Sequence, residues 1–432
     1  MKPKSLSWLL AVLLLLITVG TGRTQQAVSL TLDNGMHFVL QENHANPMIA
    51  SVVAVRVGSR HEEATINGLS HLLEHLLFSG TLSRSRQDIS AEIRKRGGYL
   101  NAFTRKDATS YILLIPKDFA EEGLEIQGDM IFNSIIPEDE LAKERKVVIE
   151  EINQSLDNPD YRAQLFSDRM TYGRTSYARP ILGFKNIIAN LSRQEILDFY
   201  HHHYVPNNMV ALITGDFEVE KMKELLERLF GSYPSRKLPF RIPAGPYIRP
   251  QNQIYYRQLS VPQTSLTITF PGPPFYDPDY YAFDLLTRLL VLDEGSPLNR
   301  ALKGGEKPAA LELSTELTLQ EGGSRFILEV ILDTDTGPAM RQKVQIVIDN
   351  VIEVFRGMAD WRLNRQEVLR VLTDLKAKEY RLREKLHYWG MNKAPLLALA
   401  GYGFVWSYPE KMERVGPDEL VRAAERFFSQ PR

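Results

Sequence analysis

The chain has no cysteine. That absence excludes disulfide bridges, removes thiolate from any set of metal ligands, and rules out a lipid-modified cysteine as an anchor. An excess of one charge is missing too, with 52 Lys plus Arg against 53 Asp plus Glu. Nothing in that balance recommends nucleic acid as a partner. Long hydrophobic runs are confined to the start. There Lys2 and Lys4 precede an apolar stretch from Leu9 to Val19, too short for an ordinary membrane span, and Gly20-Thr21-Gly22 leads into Arg23-Thr24-Gln25-Gln26. Residues 1–24 are therefore expected to be a secretory signal peptide that sends the chain across an inner membrane into a periplasm. A membrane enters only if that segment stays uncleaved. With 44% hydrophobic residues over the whole sequence, the part beyond the leader reads as an ordinary globular chain, long enough for two domains.

What is present in the first half is His71-Leu72-Leu73-Glu74-His75. Two histidines four apart stack one turn over the other on a helix, so both imidazoles can grip one ion. Glu74 shares that face and can reach a water held on the ion. The leucines around them would bury the opposite face. This is the ligand pattern of a zinc hydrolase in the inverted order H-x-x-E-H; the plain alternative is a core helix with two satisfied histidines. A catalytic zinc takes three protein ligands, so one is still to be found. Only nine histidines exist, and His201-His202-His203 cannot all face one metal because adjacent helical residues diverge. The acidic helix from Pro137 to Ile152 is the better source. Glu144 and Glu151 lie two turns apart and share a face with Val147 and Val148, and a carboxylate on an apolar face needs a partner or a metal.

With these residues in place the chain resembles the insulinase or pitrilysin family of inverted zincins, close to its processing-peptidase branch. The resemblance extends through Val57-Gly58-Ser59-Arg60, Phe78-Ser79-Gly80-Thr81, Gly97-Gly98-Tyr99-Leu100-Asn101-Ala102-Phe103-Thr104, Pro180-Ile181-Leu182-Gly183, Tyr204-Val205-Pro206-Asn207-Asn208-Met209 and Thr214-Gly215-Asp216, in the family's order. It implies a Zn2+ ion on His71, His75 and Glu151, with Glu74 as the general base for an attacking water. It places Glu144 behind a ligand, fixing its orientation; a salt-bridging helix residue is the other reading. It makes Tyr99–Phe103 an edge strand to which an extended peptide adds, with Asn101, Ala102 and Phe103 as substrate contacts. An ordinary paired strand is the alternative there.

A Pro-rich linker is expected over 233–250, separating a catalytic domain at 28–232 from a second domain at 251–432. Across it the organisation repeats, and Asp284, Thr287 and Arg288 fall where His71, Glu74 and His75 stand. The family plan is two homologous α+β rolls, each an antiparallel-rich sheet packed with helices, that form a clamshell with the metal motif in the first roll alone. Active members usually carry an Arg and a Tyr in the second roll that donate to the substrate carbonyl. Here Lys303 and Ala310 occupy those positions with Arg300 nearby, so Lys303 and Arg300 are the candidate substrate contacts. The second roll also ends early in the repeat, which is expected to leave a sheet edge open. Both departures suggest a homo- or heterodimer with a related chain that lacks the zinc motif. The expected function is a secreted zinc endopeptidase acting on unfolded peptides. The alternative is a zinc- and peptide-binding subunit with little turnover of its own.

Overall fold

The computed structural model describes residues 27–238, 253–259, 261, 263–333, 337–358 and 365–428. The expected leader at 1–24 and most of the expected linker lie outside them. In the first half the elements run β1 (Val28–Thr31), β2 (His37–Glu42), β3 (Met48–Val55), α1 (Leu69–Leu76), α2 (Arg86–Lys95), β4 (Tyr99–Thr104), β5 (Thr109–Pro116), α3 (Ala120–Phe132), α4 (Glu138–Asp157), α5 (Pro159–Tyr172), α6 (Lys185–Asn190), α7 (Arg193–His203), β6 (Met209–Gly215) and α8 (Val219–Phe230). The second half carries β7 (Thr264–Gly272), α9 (Tyr280–Leu289), α10 (Pro297–Lys303), β8 (Glu312–Gln320), β9 (Gly323–Leu332), α11 (Gly337–Gly357), α12 (Arg365–Arg383), α13 (Leu386–Glu413) and α14 (Pro417–Phe427).

The first sheet has the order β1-β2-β6-β3-β5-β4, with β2 and β6 parallel and every other pair antiparallel. Its central strands are apolar at nearly every position, which is the pattern of a sheet buried on both faces. Alternation divides their side chains between two cores. Ile49, Val53, Val55, Tyr111, Leu113, Ala211 and Ile213 face the helices of the first half. Val52, Ala54, Ile112, Val210 and Leu212 face Trp389, Ala394 and Leu397 of α13. The second half of the chain thus supplies the cover for the first sheet. Trp389 Nε1 donates to Gln41 Oε1 at 2.7 Å. Gly390 is needed beside it, because a Cβ there would lie 2.4 Å from Val52 Cγ2. Helix α13 then breaks at Gly401, whose φ of 79° is left-handed, and past the break Met412 joins the core of the second half.

The second sheet has the order β7-β9-β8, antiparallel throughout. Among the described residues β7 has a hydrogen-bonded neighbour on one side only. The cover is reciprocal, because the first half reaches back to the β8–β9 turn. Tyr172 at the end of α5 stacks under the Arg325 guanidinium at 4.5 Å, Asp168 lies 3.5 Å from the same group, and Arg60 pairs with Glu321. No helix among the described residues is long and apolar enough to cross a membrane.

Replacing Trp389 by Ala should cost about 3–5 kcal/mol, the ordinary penalty for emptying a large aromatic site, and denaturant unfolding followed on first-half probes should report it. A second prediction concerns Asp279, the residue just before α9, whose carboxylate accepts from Arg422 at 2.8 Å and Arg426 at 2.7 Å. Burial acts to raise its pKa, but these hydrogen bonds and charges outweigh that and hold the carboxyl below its ordinary value. A depressed folded pKa adds stability above the unfolded value of about 3.9, and that stability is lost as pH falls through the lower folded value. The stability gap between the wild type and Asp279→Asn should therefore be open at neutral pH and close in acid.

Candidate metal centre

Helix α1 is held by its N-terminus. Its cap, Gly68, has φ 98°, and a Cβ there would meet Gly183 Cα at 2.7 Å and Leu182 O at 2.8 Å. Only a pair of glycines lets these two loops touch, which accounts for the Pro180–Gly183 segment. Glu62 supplies the missing cap from upstream. Its Oε2 accepts from Gly68 N at 2.7 Å and Asn67 Nδ2 at 2.9 Å, and its Oε1 accepts from Ser70 N at 2.7 Å. Burial nonetheless pushes the Glu62 carboxyl above its ordinary pKa. Leu69, Leu72, Leu73 and Leu76 are fully buried beneath the helix, so the histidine face can turn only one way.

On that face the imidazoles of His71 and His75 lie 4.9 Å apart, centroid to centroid. Glu151 Oε2 from α4 is 3.6 Å from His71 Nε2 and 3.7 Å from His75 Nε2. One donor atom from each of the three residues lies within 4.8 Å of the others. Ligand atoms about 2.0–2.2 Å from a tetrahedral zinc stand roughly 3.3–3.6 Å apart, so two nitrogens and one carboxylate oxygen at these separations fit the ion. Burial, with the nearby His75 charge, depresses His71 to about 3 and leaves its lone pair free at neutral pH.

Behind the ligands, His75 Nδ1 lies 3.0 Å from Glu144 Oε2, and Glu144 in turn pairs with Arg86, which also reaches Glu140 at 2.7 Å. Burial works to lower the His75 pKa, but the Glu144 bond and the surrounding carboxylates raise it. Burial likewise acts against ionised Glu144, and its bonds to His75 and Arg86 overcome that and lower its pKa. Glu74 accepts from Thr104 Oγ1 at 2.5 Å. Burial, joined by the Glu151 charge, raises the Glu74 carboxyl against that bond and against His75, which makes it a stronger base.

The structure corrects one detail of the sequence reading. Val147 is 50% exposed, so the face that Glu144 and Glu151 share is not apolar throughout, and Val148 alone of the two valines is buried. Asn101, Ala102 and Phe103 lie on β4, which pairs with β5 and forms the sheet edge. Among the described residues no hydrogen bond or ion pair links Arg300 or Lys303 to the metal cluster; both lie on α10, where Arg300 lines a groove with Asn350 and Glu353 of α11. Ala310 is buried in the second core. His202 lies on the last turn of α7, its Nδ1 2.5 Å from Asp198 O. Sequence reasoning passed over Glu62 and Thr104. Thr104 carried a signal, since a hydroxyl one step past Phe103 continues the strand alternation. In the second half, Arg288 Nε donates to Asp284 Oδ1 at 2.8 Å and Thr287 Oγ1 donates to Asp284 O at 2.8 Å, so an ion pair replaces the metal positions.

Glu144→Gln keeps the size of the side chain and loses its charge. Zinc affinity, read by competition with a chelator, should weaken about 10- to 100-fold, the usual cost of losing a group that orients a metal ligand. Unchanged affinity would assign Glu144 to the ion network with Arg86 alone.

The pattern described as "Insulinase (Peptidase family M16)" matches residues 37–185, and "Peptidase M16 inactive domain" matches 190–375. The uncharacterized zinc protease YmxG of Bacillus subtilis strain 168 is 36% identical over 206 residues, covering 48% of this chain and 50% of that relative. The chain thus spans about half the length of that relative. The beta subunit of the mitochondrial-processing peptidase of Saccharomyces cerevisiae is 26% identical over 362 residues, 80% of this chain and 76% of that one. In fold, the crystal structure of a protease from Helicobacter pylori matches with a TM-score of 0.77 at 24% identity, over 94% of this chain and 97% of the other. With both patterns matched in order on a two-domain α+β fold, this chain belongs to the insulinase family, peptidase family M16.

Proposed function

We propose that the chain is a secreted zinc endopeptidase that hydrolyses extended peptides at the first-half cluster. The observation that carries the reading is Glu74, a carboxyl of raised pKa on the helix that carries His71 and His75, hydrogen-bonded to the last residue of the edge strand. His71, His75 and Glu151 would hold the ion, and Glu144 fixes the His75 ring. When bound, zinc supplies Lewis acidity that polarises the scissile carbonyl and acidifies a water. Glu74 takes the proton from the attacking water and delivers it to the leaving amine. The outer edge of β4, which among the described residues has a strand neighbour on one side only, aligns the peptide backbone by β-addition, Ala102 N exchanging its present bond to Asn101 Oδ1 for the peptide.

One observation favours a second reading, a peptide-binding subunit that turns over slowly. Where active relatives are expected to donate from an Arg and a Tyr, this chain has Lys303 and a buried Ala310. Loss of one such donor costs about 10²–10³ in rate. On that reading a second, related chain supplies the donors, and one relative is itself named as a subunit.

A library of unstructured peptides offered to the zinc-loaded chain separates the two. The peptidase reading expects cutting by the wild type, a loss of about 10²–10⁴ in Glu74→Gln, and silence after chelation that zinc reverses. Silence from the wild type and from Glu74→Gln, with stoichiometric zinc bound, would establish the partner-dependent subunit instead.

A further inference from the structure

Strand β4 ends at the metal cluster and begins beside the other half of the chain. At its last residue, Thr104 meets Glu74. Alternation then puts Leu100 and Ala102 on the Thr104 face, where both pack on the first core. Tyr99, Asn101 and Phe103 take the opposite face, and Phe103 packs there with the α13 core. At the far end of that face the Tyr99 ring lies 6.2 Å from the ring of His387, which lies 4.4 Å from that of Tyr388. Asn101 Nδ2 donates to Tyr99 Oη at 2.5 Å and fixes the ring. Tyr99 and Tyr388 stay 46% and 44% exposed, although the next residue, Trp389, is 2% exposed in the core. Three rings from two halves of the chain thus meet at the surface, two of them exposed and His387 half-buried, beside β4, which among the described residues has a strand neighbour on one side only.

We propose that Tyr99, His387 and Tyr388 form a remote subsite that takes a large apolar or aromatic side chain of the extended peptide substrate. The inference rests on the peptidase reading of the metal cluster. A peptide strand added to β4 places each residue on the same face as the β4 residue opposite it. The residue opposite Thr104 faces α1 and Glu74. The residue opposite Tyr99 faces the three rings, about five positions and roughly 17 Å along the strand. Register makes the preference sharp, because a slip of one position turns every side chain to the other face. Charge narrows it further. Lys385 Nζ stands 5.3 Å from the Tyr388 ring, so a cationic side chain would meet a like charge there.

The test uses the full zinc-loaded chain and a Gly/Ala-rich peptide with one cleavable bond. A single Phe is moved stepwise from three to seven positions on either side of that bond. Phe five positions away, on one side, should lower KM about tenfold to a hundredfold, while Phe at four should do little. Tyr99→Ala and Tyr388→Ala should each erase most of that advantage, and Tyr388→Ala, which lies off β4, should leave cleavage of the Phe-free parent unchanged. A flat positional profile, or a preference that survives both substitutions, would overturn the subsite. Dissociation constants of the same peptides with the Glu74→Gln chain read the subsite even where no bond is cut. A Phe advantage lost in the Tyr388→Ala background supports it, and no Phe advantage refutes it. Failure of the peptidase reading shows separately, as absence of cutting even of the parent.

Discussion

A sheet that is apolar on both faces cannot stand with one face wet. Val52, Ala54, Ile112, Val210 and Leu212 need a cover, and it arrives on α13, far along the chain. Everything at the metal cluster depends on this burial. Strand β3 is the floor of the first core and pairs with β5, β5 pairs with β4, and β4 delivers Thr104 to Glu74. The same helix start that seats Trp389 also carries His387 and Tyr388 to the far end of β4. A single packing requirement therefore places both ends of the candidate substrate strand.

At the cluster itself the governing effect is burial working against charge. His71 is kept neutral by desolvation, whereas His75 gains protons through its carboxylate neighbours. The two candidate ligands differ although they sit one turn apart on one helix, and the difference comes from Glu144, which faces His75 and not His71. In the second half the same positions carry Asp284 and Arg288, which neutralise each other directly. Helix geometry is conserved between the halves while the electrostatic problem is solved twice, by ligand chemistry in one and by an ion pair in the other.

Much of this was legible in the residues. Spacing alone put His71, Glu74 and His75 on one face, and the seven-residue interval put Glu144 and Glu151 on another, as found. The edge position of Tyr99–Thr104 and the α+β character of both halves followed the alternation of apolar residues and the family resemblance. Other parts could not be read. Periodicity says that a face is apolar but not what covers it, so the exchange of helices between halves was invisible, as was the exposure of Val147. Glu62 acts on backbone amides several residues away, and a carboxylate–amide bond leaves no trace in a spacing pattern. Likewise, nothing in α10 told where Arg300 and Lys303 would sit once Ala310 was drawn into the core.

The exchange of covers also sets a schedule for synthesis. The first sheet gains its last strand at Met209–Gly215, and the helix that seals it begins at Leu386. At about 5–20 residues per second, roughly 170 residues of delay leave the sheet face bare for on the order of ten to thirty seconds. A nascent chain in that condition is a good ligand for holding chaperones and a poor candidate for early folding.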